Sequence, residues 1–102
     1  MFTVKAPERL PASLSITGQG RTQTLKLVYR HTPRSEYSDL LQSIAKDENT
    51  PAEVVLKLVE SWEADAELSA DVLNKADEDM PGLLWAILSG YGTALTVERE
   101  KN

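Results

Sequence analysis

The residues able to do chemistry are few and do not assemble into a site. The chain holds one histidine, His31, and no cysteine. Thiolate nucleophiles, disulfides and cysteine metal centres are therefore excluded. A general base needs a nucleophile and an orienting partner within hydrogen-bond reach. No spacing in the sequence supplies either to His31, which ends an alternating run beside Thr32. The carboxylates Asp77-Glu78-Asp79 would attract a hard cation, but no calcium-loop frame with its glycine and closing glutamate surrounds them. Asp65-Glu67-Ser69-Asp71 lacks that frame too, and both runs read as solvated acidic faces. Gly18-Gln19-Gly20 has no third glycine and no phosphate-binding lysine, so it reads as a turn. The expectation is a protein with no catalytic, cofactor-binding or metal site: no enzyme, and no cofactors.

Charge is the next candidate for function. The 102 residues carry a net charge of -5. Residues 1–34 hold six bases against Glu8, and residues 60–79 hold eight acids against Lys75. Such asymmetry orients like subunits head to tail or simply solvates two faces. Lys26 and Arg30, with Arg21 and Arg34, have the spacing to follow phosphates. The chain is acidic overall, however, and no aromatic shares that face for base stacking. Nucleic acid is not the expected partner.

The elements that position these groups can be read in order. The length fits one domain, 1–102, with one modest core. Phe2-Thr3-Val4 is a short strand or a loose arm. Ser13 to Thr17 alternates, with Leu14 and Ile16 on one face; Thr22 to His31 alternates again, with Leu25, Leu27 and Tyr29. With the glycine turn between them, 1–31 is a hairpin region with one wet, basic face. A lone hairpin is marginal in water, so its apolar face must rest on helices, further strands or another subunit.

Helices then fill 32–97. Thr32-Pro33 reads as N-cap and first helical residue, followed by the stripe Tyr37, Leu40, Leu41, Ile44 and Ala45. Thr50-Pro51-Ala52-Glu53 is a capping box opening a second helix, whose stripe is Val55, Leu58, Val59 and Trp62. Trp62 is expected in the core. Ser69 caps a short third helix with Val72, Leu73 and Ala76 inward. The three acids at 77–79 then stand near the start of a last helix, whose N-terminal dipole favours them. Residues 98–102 form a charged tail. The fold class is α+β: an N-terminal β-hairpin followed by a bundle of about four α-helices.

The last helix organises the rest. Met80 to Val97 contains no charged residue. Its apolar positions cover roughly 200° of the helical circumference, about twice an ordinary amphipathic stripe. Glycines and threonines dilute the stretch, and it is short for a membrane span; a buried helix is expected, and no membrane. No signal peptide is expected ahead of the hairpin. Gly90 and Gly92 cost about 1 kcal/mol each against alanine, which close backbone approach or a bend would justify. Trp85 lies opposite the main arc, among Ser89, Gly92 and Thr96. Buried interface anchors are often tryptophan. A partner contact through Trp85, Leu88, Tyr91 and Leu95 is expected, against the alternative that the helix is covered all round.

The arrangement resembles the tail assembly chaperones of long-tailed bacteriophages. The likeness rests on the hairpin from Leu14 to Tyr29, on Thr32-Pro33-x-x-Glu36-Tyr37 at a helix start, and on Trp62 amid acids. Pro81 opening a final helix that bears Tyr91, and the charged end Arg99-Glu100-Lys101-Asn102, extend it over most of the chain. The resemblance implies a viral or prophage protein of the host cytoplasm, absent from the mature virion. It implies that the tape measure protein is bound and kept soluble until tail tube protein subunits polymerise, with self-association of the chaperone into an oligomer. It also implies, for many members, a longer frameshifted product. Two other readings are a structural tail or head-completion protein that stays in the particle, and a small nucleic-acid-binding regulator.

Overall fold

The chain first reverses at Gln19 and Gly20, which both take positive φ, 56° and 79°. Two such residues make the tight turn whose twist matches a β-hairpin. In the computed structural model, which describes residues 1–100, the turn joins β1 (Arg9–Gly18) to β2 (Arg21–Arg30). The strands pair antiparallel from Arg9↔Arg30 to Gly18↔Arg21. Lys101 and Asn102, the end of the charged tail, lie outside the described residues. The alternation is as the sequence indicates. Leu27 and Tyr29 are buried, Leu10, Ala12, Leu14, Ile16 and Leu25 pack against the same core, and Thr24, Lys26 and Arg30 face water. Phe2-Thr3-Val4 forms no strand; Phe2 and Val4 are fully exposed.

Four helices follow, as expected: α1 (Arg34–Ala45), α2 (Pro51–Leu58), α3 (Ala70–Asp79) and α4 (Leu83–Leu95). α4 and α2 lie against the sheet, and α1 and α3 pack on those two helices. Ala52, Val54, Val55 and Leu58 of α2 meet Leu73 of α3 and Leu84, Ile87, Leu88 and Tyr91 of α4 in one core.

Two helix starts are as read from sequence. The Thr50 hydroxyl accepts from the Glu53 amide (3.2 Å), and the Glu53 carboxylate accepts from the Thr50 amide (3.0 Å). Ser69 accepts from the Val72 amide at 3.2 Å. Thr50→Ala is therefore expected to cost about 1 kcal/mol, the usual worth of such a cap, measurable in a urea melt. The Thr50 amide holds the Glu53 carboxyl below its ordinary value. A depressed acid stabilises above its unfolded pKa. This small contribution fades as pH falls from its ordinary value near 4.5 through the folded one.

Three expectations are corrected. Thr32 does not cap α1: Pro33 occupies that position with no side-chain cap. The Thr32 hydroxyl turns to the Arg30 carbonyl (3.3 Å), because the backbone of Thr32 is buried and held elsewhere. The second helix does not reach Trp62. It stops at Leu58, and Val59–Glu63 forms a third strand, β3, against the second edge of β2. Leu27 sits opposite Trp62 and Tyr29 opposite Val59, with an irregularity between Val28 and Tyr29. The Arg30 guanidinium closes the end of α2 by donating to the carbonyls of Leu56 (2.9 Å), Lys57 (3.3 Å) and Val59 (2.9 Å). The last helix ends at Leu95, short of Val97.

Candidate partner-binding surface

Most of the wide apolar arc of α4 is satisfied within the molecule. Leu83, Leu84, Ile87, Leu88 and Tyr91 are buried. Three tyrosines fix the helix to the rest of the fold. The Tyr29 hydroxyl donates to the Ile87 carbonyl (2.6 Å), and the Tyr37 hydroxyl donates to the Leu88 carbonyl (2.7 Å). The Tyr91 hydroxyl donates to the Thr32 carbonyl and accepts from the Thr32 amide, both at 2.6 Å. Their rings touch, Tyr91 lying 5.1 Å from Tyr29 edge-on and 4.8 Å from Tyr37. Burial pushes the Tyr29 phenol well above its ordinary value and raises that of Tyr37 as well, so both stay neutral donors.

The glycines of α4 belong to this arrangement. A Cβ on Gly90 would stand 2.7 Å from Leu14 Cδ2 and 2.8 Å from the Tyr29 hydroxyl. On Gly92 it would meet the Tyr37 hydroxyl at 3.3 Å. Close approach explains Gly90.

Of the four residues expected to contact a partner, the fold separates two pairs. Leu88 and Tyr91 have no exposed surface, and Leu95 is half-buried. Trp85 is 52 % exposed. Ser89, one turn along the same flank, and Thr93 beyond it are exposed as well. Trp62 is half-buried against the core, and its indole N–H donates to the Ala66 carbonyl at 2.9 Å.

Two grooves lie on the surface, the first of them along this flank. One, of about 440 Å³, runs between α4 and β1 and is lined by every residue from Pro11 to Ile16, with Ala86, Ser89, Gly90, Thr93 and Ala94. The other, of about 370 Å³, is walled by Ile16, Leu25, Trp62, Val72, Ala76 and Met80, with Glu63 and Asp65 beside them. Sequence reading missed both, since each joins segments distant in the chain. Pro11 was the available signal for the first, because proline within a sheet marks an edge.

Two ion pairs form among the described residues. Arg9 pairs with Glu60 at 2.6 Å, which holds that carboxyl low, and Lys26 stands opposite Glu63 in the sheet. Arg30 is committed to the end of α2. The basic face of the hairpin is thus interleaved with acids from β3. Asp77 accepts from the Leu84 amide at 3.1 Å, so a carboxylate does serve the start of α4, although all three acids belong to the last turn of α3. Lys75 offsets them by pairing with Asp79 at 2.8 Å. Among the described residues no group of acids and histidine has metal-holding geometry, and no helix is long and apolar enough to cross a membrane.

No curated protein and no solved structure matches the chain. A family model does, over residues 5–102, and its description is phage tail assembly chaperone. With nearly the whole sequence matched, and the hairpin, the capped helices and the Pro81-led final helix all in place, the chain belongs to the phage tail assembly chaperone family.

Proposed function

We propose that this chaperone binds the tape measure protein while the tail is being built, in the cytoplasm of the host, and departs before the particle is complete. The observation that carries the reading is Trp85. A tryptophan left half in water on an otherwise small and polar flank costs solubility and adds little to the fold. Tryptophan is also enriched among interface anchors. A tape measure protein is a long helical chain that needs many reversible apolar contacts to stay soluble, and a repeated half-exposed indole supplies one per copy.

The test is calorimetry with a soluble fragment of the cognate tape measure protein. Trp85→Ala is expected to weaken binding at least tenfold, as loss of an interface anchor does, while leaving the melting temperature within about 2 °C because the residue is exposed. Unchanged affinity in that variant would remove the indole from the interface. Recovery of the chain from purified virions would favour a structural tail component instead.

A further inference from the structure

The first strand of the sheet has an unoccupied edge among the described residues. Sheet order is β1-β2-β3, so β1 pairs on one side only. Its register shows which backbone groups are free. The two-residue turn makes Gly18↔Arg21 a hydrogen-bonded pair, and such pairs recur at every second residue. The bond from the His31 amide to the Glu8 carbonyl (2.9 Å) fits the same phase at the far end. Even-numbered residues of β1 therefore bond to β2. The amides and carbonyls of Ser13, Ser15 and Thr17 point outward, and none has a partner among the described residues. Pro11 belongs to the outward set, where its missing N–H costs the sheet nothing. The groove beneath α4 follows this edge, since residues of both strand faces line it consecutively. From Leu10 to Gly18 no charge guards the edge, although natural edge strands are usually blunted that way.

The segment before β1 has the complementary character. Phe2 and Val4 are 87 % and 90 % exposed, and they alternate with Thr3 and Lys5. That is the pattern of a strand with one face to bury. The arm is not paired with its own edge, since Arg9 and Leu10 stay extended against Arg30 and Tyr29. A tight turn at Ala6-Pro7 would place Phe2 beside Pro11 on the wet face, short of the groove.

We propose that residues 2–6 of one copy add as an antiparallel strand to the β1 edge of a second copy. In the register that fits, Val4 lies over Leu14, Phe2 over Ile16 and Ala6 over Ala12, all on the apolar side. Thr3 and Lys5 then exchange backbone hydrogen bonds with Ser15 and Ser13. Pro7 falls opposite Pro11, so the two residues lacking an N–H share the rung at which pairing stops. Phe2 alone buries about 150–250 Å². Counting Val4, the arm backbone and the groove, the contact totals on the order of 1,000 Å², the lower end for a specific interface. The contact is therefore reversible. It is also head to tail, because arm and edge are different surfaces, and it propagates into open chains. No tape measure protein is needed for it, so it stands or falls apart from the function proposed above.

Sedimentation of the full chain, with two variants, tests this. The parent is expected to show a mass that climbs past the dimer with concentration. Phe2→Asp/Val4→Asp removes the arm's apolar face, and Ser15→Pro removes the central outward amide; each is expected to be a monomer with an unaltered circular dichroism spectrum. Mixed in equal amounts they are expected to form a one-to-one complex that grows no further, with the Ser13 and Ser15 amides of the arm variant exchanging at least tenfold more slowly. Association of the arm variant as strong as the parent's would overturn the proposal. So would a monomeric parent at several hundred micromolar, whether its arm is free or seated on its own edge, or failure of the mixture to pair.

Discussion

Gly90→Ala is expected to lower the unfolding free energy by about 2–4 kcal/mol, although it replaces glycine by the best helix former. In an exposed helix the change would stabilise by about 1 kcal/mol. Here the new methyl would stand 2.7 Å from Leu14 Cδ2 and 2.8 Å from the Tyr29 hydroxyl. Forcing extra volume into a packed contact costs about 1–3 kcal/mol. Displacing the Tyr29 hydroxyl from the Ile87 carbonyl, a buried 2.6 Å bond, adds about 1–3 kcal/mol. Leu14 is only half-buried and gives way a little, which keeps the net below the sum. For a domain of this size the loss corresponds to roughly 10–20 °C in melting temperature. Gly92→Ala is the control. Its methyl meets only Tyr37, the hydroxyl at 3.3 Å and the ring at ordinary contact distance, on a half-buried side chain that can shift. The helix-propensity gain and the weakened bond then nearly cancel, and a change within about 1 kcal/mol is expected. Urea melts of the two variants side by side decide the matter. Equal stabilities would mean that β1 and α4 are not locked at Gly90.

That contrast bears on how far the sequence could be read. Leu14, Ile16, Leu25, Leu27 and Tyr29 announce the hairpin because a half-buried strand must alternate. Thr50 and Ser69 announce helix starts because a cap is a local matter of four residues. Trp85 could be placed opposite the apolar arc from helical angles alone, and it is exposed. Val59 to Glu63 could not be assigned in this way. Val59 and Trp62 continue the helical spacing of Val55 and Leu58, and only pairing with β2, thirty residues upstream, makes the segment a strand. Leu88 and Tyr91, expected to contact a partner, are covered within the single chain for a related reason. A wide apolar arc states that a helix must be covered, but not whether the chain's own sheet and helices or a second molecule will cover it. The pair of glycines with three tyrosines was the sign that cover lies within, since phenols reach helix carbonyls only where the helix presents no side chain.

Tyr91→Phe is expected to cost about 2–4 kcal/mol, more than the same change at either other tyrosine. The ring contacts with Tyr29 and Tyr37 survive the substitution, so the loss is one of hydrogen bonding alone. Thr32 is 7 % exposed, and both its amide and its carbonyl find their partner in the Tyr91 hydroxyl. Removing one oxygen therefore strands two buried backbone groups, each worth about 1–3 kcal/mol when unpaired. Tyr29 and Tyr37 donate to carbonyls inside the helical ladder of α4, which keep their intrahelical partners. Tyr29→Phe and Tyr37→Phe are accordingly expected to cost about 1 kcal/mol each. Denaturant melts of the three variants with unchanged m-values would give this order. Hydrogen exchange adds a local readout, the Thr32 amide exchanging faster in Tyr91→Phe but not in Tyr37→Phe. A Tyr91→Phe variant within 1 kcal/mol of the parent would mean that water has entered to take the place of the hydroxyl. The physical point concerns position as much as stability. Thr32 is the joint where the sheet hands over to α1, and Tyr91 ties that joint to α4. The tie holds the flank that carries Trp85 in fixed relation to the edge of β1.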